Sequence, residues 1–453
     1  MNLENRSEKG QVLVILVLVF VVLLGFAALA IDGGLIFVDR RGAQNAADAA
    51  ALAGGWKLAN ALEDADLGYY INYENWDCSD PDMNAARALA EERAIELAGF
   101  NGYTIDNDIT DQNGVTTQCM EEDFTTYIDK YVDVEAWVTS EINTAFAHFV
   151  FGGGPFVNTV NAVARSRPRA PLGFNYAVVS TSASNGSGGT VTFVGGGIVI
   201  NSAGRGIVSN NISAAGATVT INGTESPRNV YFNNCSACGG ISPSPTSQTN
   251  MLPNFSVSIP PLDCNDPDIT DRGSFNSSGD ATLNPGRYSQ ITVNDGDEVV
   301  LSAGLYCMTG DFQVLGKGTL TGGEVTIYLS AGDFTVGAFS RIDLNAPNGV
   351  SGLADGLDGM LIYMAPDNNG MIIVDGCKVG VVGTACEAGE ESNFEGTIFG
   401  AHPDSTIIVG QSGDMDKIDA QLVGGNITVY GPMTINFGLS QSYQRPATMT
   451  LEN

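Results

Sequence analysis

The chain has 453 residues, with 51 acidic against 20 basic side chains and a formal net charge of −31. That length is enough for roughly two or three domains. The acids lie on both sides of residue 170, so the charge belongs to a solvated surface rather than a tail, and it argues against a nucleic-acid partner, which calls for clustered Lys and Arg.

Residues 12–31 are apolar and uncharged. At about 1.5 Å rise per residue such a helix matches the ~30 Å hydrocarbon core of a bilayer. A cleaved signal peptide is one alternative, with Ala28-Leu29-Ala30 as its site. The run is longer than the usual core of about 7–15 residues, and the preceding Glu4, Arg6, Glu8 and Lys9 carry no net side-chain charge. A buried core helix is the other alternative, but a span apolar on every face needs a large protein around it. We therefore expect a retained transmembrane helix at 12–31, with a cytoplasmic N-terminus at 1–11 and the lipid bilayer as its partner. Residues 32–62 contain no proline and are rich in Ala and Leu, which predicts a helical extension beyond the membrane. Gly33-Gly34 and Gly54-Gly55 are its weak points, each Gly costing about 1 kcal/mol against Ala. The small residues of this stretch suit close approach of a neighbouring helix.

Gly10-Gln11-Val12-Leu13-Val14, the apolar run, Ala30-Ile31-Asp32-Gly33-Gly34 and Gln44-Asn45-Ala46-Ala47-Asp48-Ala49-Ala50-Ala51-Leu52-Ala53 occur in that order. Together they resemble the N-terminal region of TadE/TadG-like proteins of the tight-adherence (Flp-type) pilus assembly system. The resemblance implies an assembly segment carried by Gly10, Gln11, Asp32, Gly33, Asn45, Ala46, Ala47 and Asp48. It also implies other pilus-assembly or pilin-like helices as partners. Gly10 stands where a pilin-type peptidase would cut, but Ile15 occupies the place that pilins fill with glutamate. No Asp-x-Ser-x-Ser motif is present, so the integrin-type domain of some relatives is not expected.

Residues 63–168 read as a small α+β domain. A helix is predicted over 83–98, burying Ala86, Leu89, Ala90, Ala94, Ile95 and Leu97, with Gly99 as its stop. Residues 131–139 and 157–164 alternate as half-buried strands do, and 143–151 suggests a short helix. Pro168 and Pro171 mark the boundary. Beyond it, over 169–453, short β-branched runs at 190–194, 197–200, 205–208, 217–222, 298–301, 324–329, 371–374, 405–409 and 426–430 alternate with Gly, Ser and Asn turns. Leu283-Asn-Pro-Gly-Arg-Tyr288, Leu301-Ser-Ala-Gly-Leu-Tyr306 and Leu329-Ser-Ala-Gly-Asp-Phe334 echo one another. Such a run predicts an all-β ectodomain, a parallel β-helix, with a β-sandwich as the alternative. Residues 241–261, rich in Ser and Pro, read as an inserted loop.

Eight cysteines in a membrane-tethered chain indicate an oxidising compartment. Sequential pairing of Cys78 with Cys119, Cys235 with Cys238, Cys264 with Cys307 and Cys377 with Cys386 is the simplest arrangement. Cys235 and Cys238 have CxxC spacing, but no βαβ pattern surrounds them, and a small-loop disulfide is expected rather than a redox or zinc pair. Arg40-Arg41 after the span run against the positive-inside tendency. The cysteines and the long acidic C-terminal part favour a topology with the N-terminus inside and the C-terminal region outside the cell.

No catalytic constellation stands out. Asp295 with Asp297, or Asp414, Asp416 and Asp419, would supply the carboxylate pair of a glycosidase, but close pairs are expected among 51 acids. His402 reads as a lone surface histidine. The turns at 263–268 and 294–298 carry hard oxygen ligands of the kind calcium prefers, but ordinary solvated turns are the simpler reading, and no cofactor is expected. Asn185, Asn211, Asn222, Asn254, Asn276 and Asn426 start Asn-x-Ser/Thr triplets. The expectation is a non-enzymatic, membrane-anchored surface protein of pilus assembly, adhesion or envelope structure, with surface polysaccharide as a further partner class. The alternative is a membrane-tethered, carbohydrate-active β-helix enzyme.

Overall fold

Helix α1 runs unbroken from Gln11 to Asp64 in the computed structural model. The structure describes residues 11–65, 77–123, 128–146, 155–167, 169–173, 176–180, 189–214, 216–223, 230–247, 262–349, 356–388, 390–438, 442–445 and 447–452. The apolar first part of α1 packs against none of the described residues, with Val12 to Leu24 more than half exposed. That removes the buried-core-helix reading. The second part is core: Ala43, Ala46, Ala47, Ala50, Ala51, Leu58 and Leu62 are fully buried with Val132, Val134, Ala136 and Val138. The stretch 32–62 is therefore built into the α+β unit rather than standing apart as a stalk.

Helix α2 (Pro81–Phe100) starts at Asp80, whose side chain accepts a hydrogen bond from the Asp82 backbone N–H at 2.8 Å, with Pro81 in the first turn. It buries Met83, Ala86, Ala90, Ala94 and Ala98. The stripe is narrower than predicted: Leu89 is exposed, and Ile95 and Leu97 are half-buried. Alanine at every fourth place lets α2 lie close on α1, and larger neighbours are pushed to the flanks. Gly99 is not the stop. The helix continues to Phe100, Asn101 Nδ2 donates to the Leu97 carbonyl at 2.8 Å, and Gly102 takes the left-handed step at φ +88.

Strands β1 (Val115–Asp123), β2 (Ile128–Ile142) and β3 (Phe156–Arg167) form an antiparallel sheet under the two helices. The last strand of the chain, Thr448–Glu452, returns to pair with β3 and completes it. Along β2 the residues Val132, Val134, Ala136 and Val138 face the helices, as alternation predicts. The other face carries an ion-pair ladder: Arg165 holds Asp133 at 2.8 and 2.9 Å, and Arg167 holds Asp129 at 3.0 and 2.9 Å. The predicted short helix at 143–151 is absent in its described part, 143–146, which follows β2 as irregular chain; the rest lies outside the described residues.

Among the described residues, all but two of the remaining strands form one 25-stranded sheet of parallel pairings, each strand stacking on its counterpart in the next coil, as the β-helix reading predicts. Neighbouring coils are joined by hydrogen bonds between residues 21 or 22 apart. Inward residues are chiefly Val, Ile, Leu and Phe, forming one long core from Ala177 to Phe437. Corners stack tightly: a Cβ on Gly332, at φ +82, would meet the Gly310 carbonyl carbon at 2.4 Å.

The coils do not stack in chain order. The final coil, with Lys417–Gly424, Asn426–Tyr430 and Met433–Phe437, lies against the first, with Tyr176–Ser180, Thr190–Val194 and Gly197–Ser202. The chain then winds outward through Arg205–Ser213 and Val230–Ser236 and resumes at the opposite end with Asp271–Asn276. Within the predicted loop 241–261, Ile241–Ser242 continues this outer coil, with Ile241 buried above Val219, and Thr246–Ser247 stacks on it by pairing with Tyr231 and Phe232. Residues 248–261 lie outside the described residues. The first two sequence echoes lie at the same corner of successive coils and coincide at their leucines, Leu283 pairing with Leu301, but Gly286 pairs with Tyr306 and Tyr288 with Met308. The third lies at a different corner: Leu329 pairs with Met308 and Phe334 with Phe312.

Head and solenoid are tied by two chain crossings. Ala170–Pro171 pairs antiparallel with Gln444–Arg445, and the Leu172 N–H donates to the Tyr443 carbonyl at 3.1 Å. Gln421 Nε2 reaches from the solenoid to the Leu172 and Tyr176 carbonyls at 2.5 and 2.8 Å. Burial pushes the Tyr443 hydroxyl up to about 12.

Candidate membrane and assembly segment

Where the apolar run ends, Asp32 is buried, although it sits on an otherwise bare stretch of helix. Its Oδ1 accepts from the Ala145 N–H at 2.7 Å, and its Oδ2 from the Phe146 N–H at 3.0 Å. A carboxylate bound to two backbone N–H groups is a strong tie, so Asp32 pins the chain just after β2 to the helix at its exit from the apolar span. Two turns later Asp39 repeats the device. Its carboxylate accepts from the Ser140 hydroxyl and, at 3.4 Å, from Asn158 Nδ2, two residues paired across β2 and β3. Further on, Gln44 Nε2 donates to Asp48 Oδ1 at 2.8 Å and to the Asn161 carbonyl at 3.2 Å. These contacts align α1 with β2 and β3 and direct the connecting end of that hairpin toward the apolar span.

The assembly residues implied by resemblance are thus divided. Asp32, Ala46 and Ala47 are buried inside the protein's own fold, and Asp48 is half-buried. The Ala-rich face packs on α2 and the sheet, so it is not open to a partner helix, which corrects the expectation for this stretch. Gly54 and Gly55, expected as weak points, are places of close approach. A Cβ on Gly54 would meet Val134 Cγ1 at 2.9 Å and the Ala90 carbonyl at 3.0 Å, and one on Gly55 would meet Met449 Sδ at 2.8 Å. Gly33 and Gly34 face open space, and Asn45 is exposed. Gln11 opens α1, and Gly10 lies outside the described residues. Sequence reading missed Asp39 and the binding role of Asp32, because their partners are about a hundred residues away.

All eight cysteines stand in pairs in sequential order, Cys78–Cys119, Cys235–Cys238, Cys264–Cys307 and Cys377–Cys386, with Cα separations of 5.6, 6.0, 5.6 and 5.7 Å. The CxxC pair closes a small loop beside the outer coil.

The acidic residues weighed for catalysis or calcium have structural neighbours. Asp295 Oδ1 accepts from the Lys317 N–H of the next coil at 2.7 Å, and Asp297 Oδ2 from the Ser277 hydroxyl of the previous one at 2.5 Å. Asp263 and Asp266 cap their own turns by accepting from Asn265 and Asp268 N–H groups. Asp419 ends an amide ladder: Asn222 donates to Asn201 at 3.0 Å, Asn201 to Asn436 at 2.8 Å, and Asn436 to Asp419 at 2.7 Å. Asn222 therefore serves coil stacking, as does Asn276, which accepts from Asn294 Nδ2 at 2.8 Å. Asn185 and Asn254 lie outside the described residues. Among the described residues, no three His, Cys, Asp or Glu side chains gather as metal ligands would. A depression of about 330 Å³ beside Met433–Phe437 holds one carboxylate, Asp416, next to Lys417. His402 Nδ1 accepts from the Asp404 N–H at 3.0 Å.

These features define a membrane-anchored protein: one bare apolar helix, clamped at its exit to a small α+β head that carries a parallel solenoid. Residues 10–59 match the family described as putative Flp pilus-assembly TadE/G-like, a similarity confined to the anchor helix and the part of it that enters the head. The matched stretch covers the span, both aspartate clamps and the Ala-rich core, and ends before α2. No curated protein and no solved structure matches the chain.

Proposed function

We propose that this chain is a non-enzymatic surface component of a pilus-assembly system, with residues 1–11 in the cytoplasm and the head and solenoid outside the cell. The observation that carries the reading is the division of α1: a bare apolar part long enough to cross a bilayer, continuous with a part that is the core of the head. The TadE/G-like match extends over both parts. Four disulfides support an oxidising, extracytoplasmic side. In this reading the exposed face of residues 12–31 meets lipid and the helices of other pilus-assembly components, and the solenoid is the presented surface. No cofactor is required.

For adhesion, the presented surface has a suitable row. Gln313 and Thr335, then Thr428, Thr192, Ser213 and Ser236, lie in one outward row across the stacked coils, with Ile373 and Ile408 between the two groups. They are uncharged in a strongly acidic chain, which suits neutral surface polysaccharide rather than a basic partner.

The test is site-specific photo-crosslinking in native membranes. A probe at exposed Leu24 is expected to capture pilus-assembly components, whereas one at buried Ala47 captures none. Capture of lipid alone from every position between 12 and 31 would overturn the assembly reading. Turnover on a polysaccharide panel would overturn the non-enzymatic one. Leucines at Ala47 and Ala50 are unsuitable as an assembly test, because they would disrupt the chain's own core.

A further inference from the structure

We infer that the head itself rests on the membrane, through an apolar collar that encircles the exit of α1. The inference rests on residues 12–31 spanning the bilayer. Between the two aspartate clamps, α1 exposes Leu35, Phe37 and Val38, with Phe37 at 70%. At the same height the β2–β3 hairpin exposes Phe146, Phe156 and Val157, with Val157 at 62%. The heights are set by contacts already described. Phe146 donates its N–H to Asp32, and Asn158, one residue beyond Val157, donates to Asp39. Phe156 and Val157 pair with Ile142 and Glu141 at the end of the hairpin where the chain passes from β2 to β3.

Asp32 to Asp39 spans about 10 Å of helix. An apolar segment lying in the headgroup–acyl boundary sinks roughly 5–10 Å. The collar therefore begins where the apolar span ends and occupies the interfacial layer. Six large apolar side chains at one level form an exposed patch of the kind that marks a contact surface. The occupant is the lipid interface, because the patch is continuous with the membrane-crossing face of the same helix. Burial of Asp32 fits this placement, since its carboxylate meets backbone N–H groups rather than hydrocarbon. The contact is apolar, so it does not call for basic residues. It holds the head at a fixed height and restricts its tilt, so that the solenoid projects in a defined direction.

Depth-dependent quenching by bromine-labelled phospholipids tests the collar in the full chain reconstituted into vesicles. Tryptophan is introduced separately as Phe156→Trp, Val157→Trp and, as a solvent control, Val382→Trp, which is 90% exposed on the solenoid. Emission added at 156 and 157 is expected to be blue-shifted and quenched by bromines near the headgroups, and emission added at 382 is not. Co-flotation with vesicles is read in parallel. Flotation without quenching at either collar position would overturn the collar while leaving the anchor standing. Failure to float would overturn the anchor reading itself. Quenching lost on dilution of protein in the bilayer would assign the patch to a second copy and so contradict the lipid contact.

Discussion

The head and the solenoid bury their apolar surface in opposite ways. The head core is chiefly alanine: Ala43, Ala46, Ala47, Ala50, Ala51, Ala86, Ala90, Ala94 and Ala98 let two helices and a sheet approach closely. The solenoid core is β-branched and aromatic, with Phe312 on Phe334 at 5.3 Å and Tyr363 on Phe399 at 5.6 Å between ring centres. Small residues gain little from burial one by one, so the head depends on tight fit and on polar clamps. Large stacked residues gain more each, so the solenoid depends on repetition. The head should therefore fail by overfilling, and the solenoid by emptying.

The largest effect is expected from emptying. Phe312→Ala should cost about 3–5 kcal/mol, read as loss of the β-rich transition in denaturant unfolding, while Trp137 fluorescence in the head is unchanged. Overfilling comes next. Gly54→Val should cost about 3 kcal/mol, near the upper end for forcing extra carbons into a packed core, and Trp137 should now report the loss. If Gly54→Val were neutral, the contrast between the two cores would collapse. Asp32→Ala removes charge-assisted bonds to two backbone N–H groups and should cost about 2 kcal/mol, seen as faster amide exchange at Ala145 and Phe146. Asn201→Ala, which breaks the amide ladder at its middle, should cost about 1 kcal/mol.

The smallest effect concerns pH. Burial, with Asp419 alongside, holds the Glu395 carboxyl above its ordinary range. The folded state then binds that proton more readily than the unfolded chain, so this group lowers stability as pH rises through the window above the ordinary value. Glu395→Gln should remove that penalty, a gain of at most about 0.5 kcal/mol at neutral pH for a partly exposed group. The gain should vanish in acid below both values. Urea titrations at two pH values check the sign.

What could be read from the sequence follows the range of the interactions involved. The apolar span, the alternation of β2 and runs such as 190–194 and 426–430 are local patterns, and each is found where its pattern lies. Strand β1 was not legible, because its buried Thr117 is matched by Arg87 and Glu91 from α2 and leaves no apolar signature. The stacking of the last coil on the first was also hidden, since the pairing of Ile427 with Val191 joins residues far apart in the chain. The return of Thr448–Glu452 to β3 is non-local in the same way. Alanine was ambiguous for a physical reason: a small-residue face suits an external helix and an internal sheet equally, and only the presence of Val134 and Ala164 decides between them.

The central claim is that α1 is membrane anchor and head core at once. Its most direct test is hydrogen exchange along α1 in the full chain reconstituted in vesicles, measured before and after detergent extraction. The account predicts slow exchange over both 12–31 and 43–62 in vesicles, with detergent extraction loosening only the first stretch. Equal protection of residues 12–31 in the lipid-free, detergent-free protein, or release of the intact chain by an alkaline carbonate wash, would contradict it.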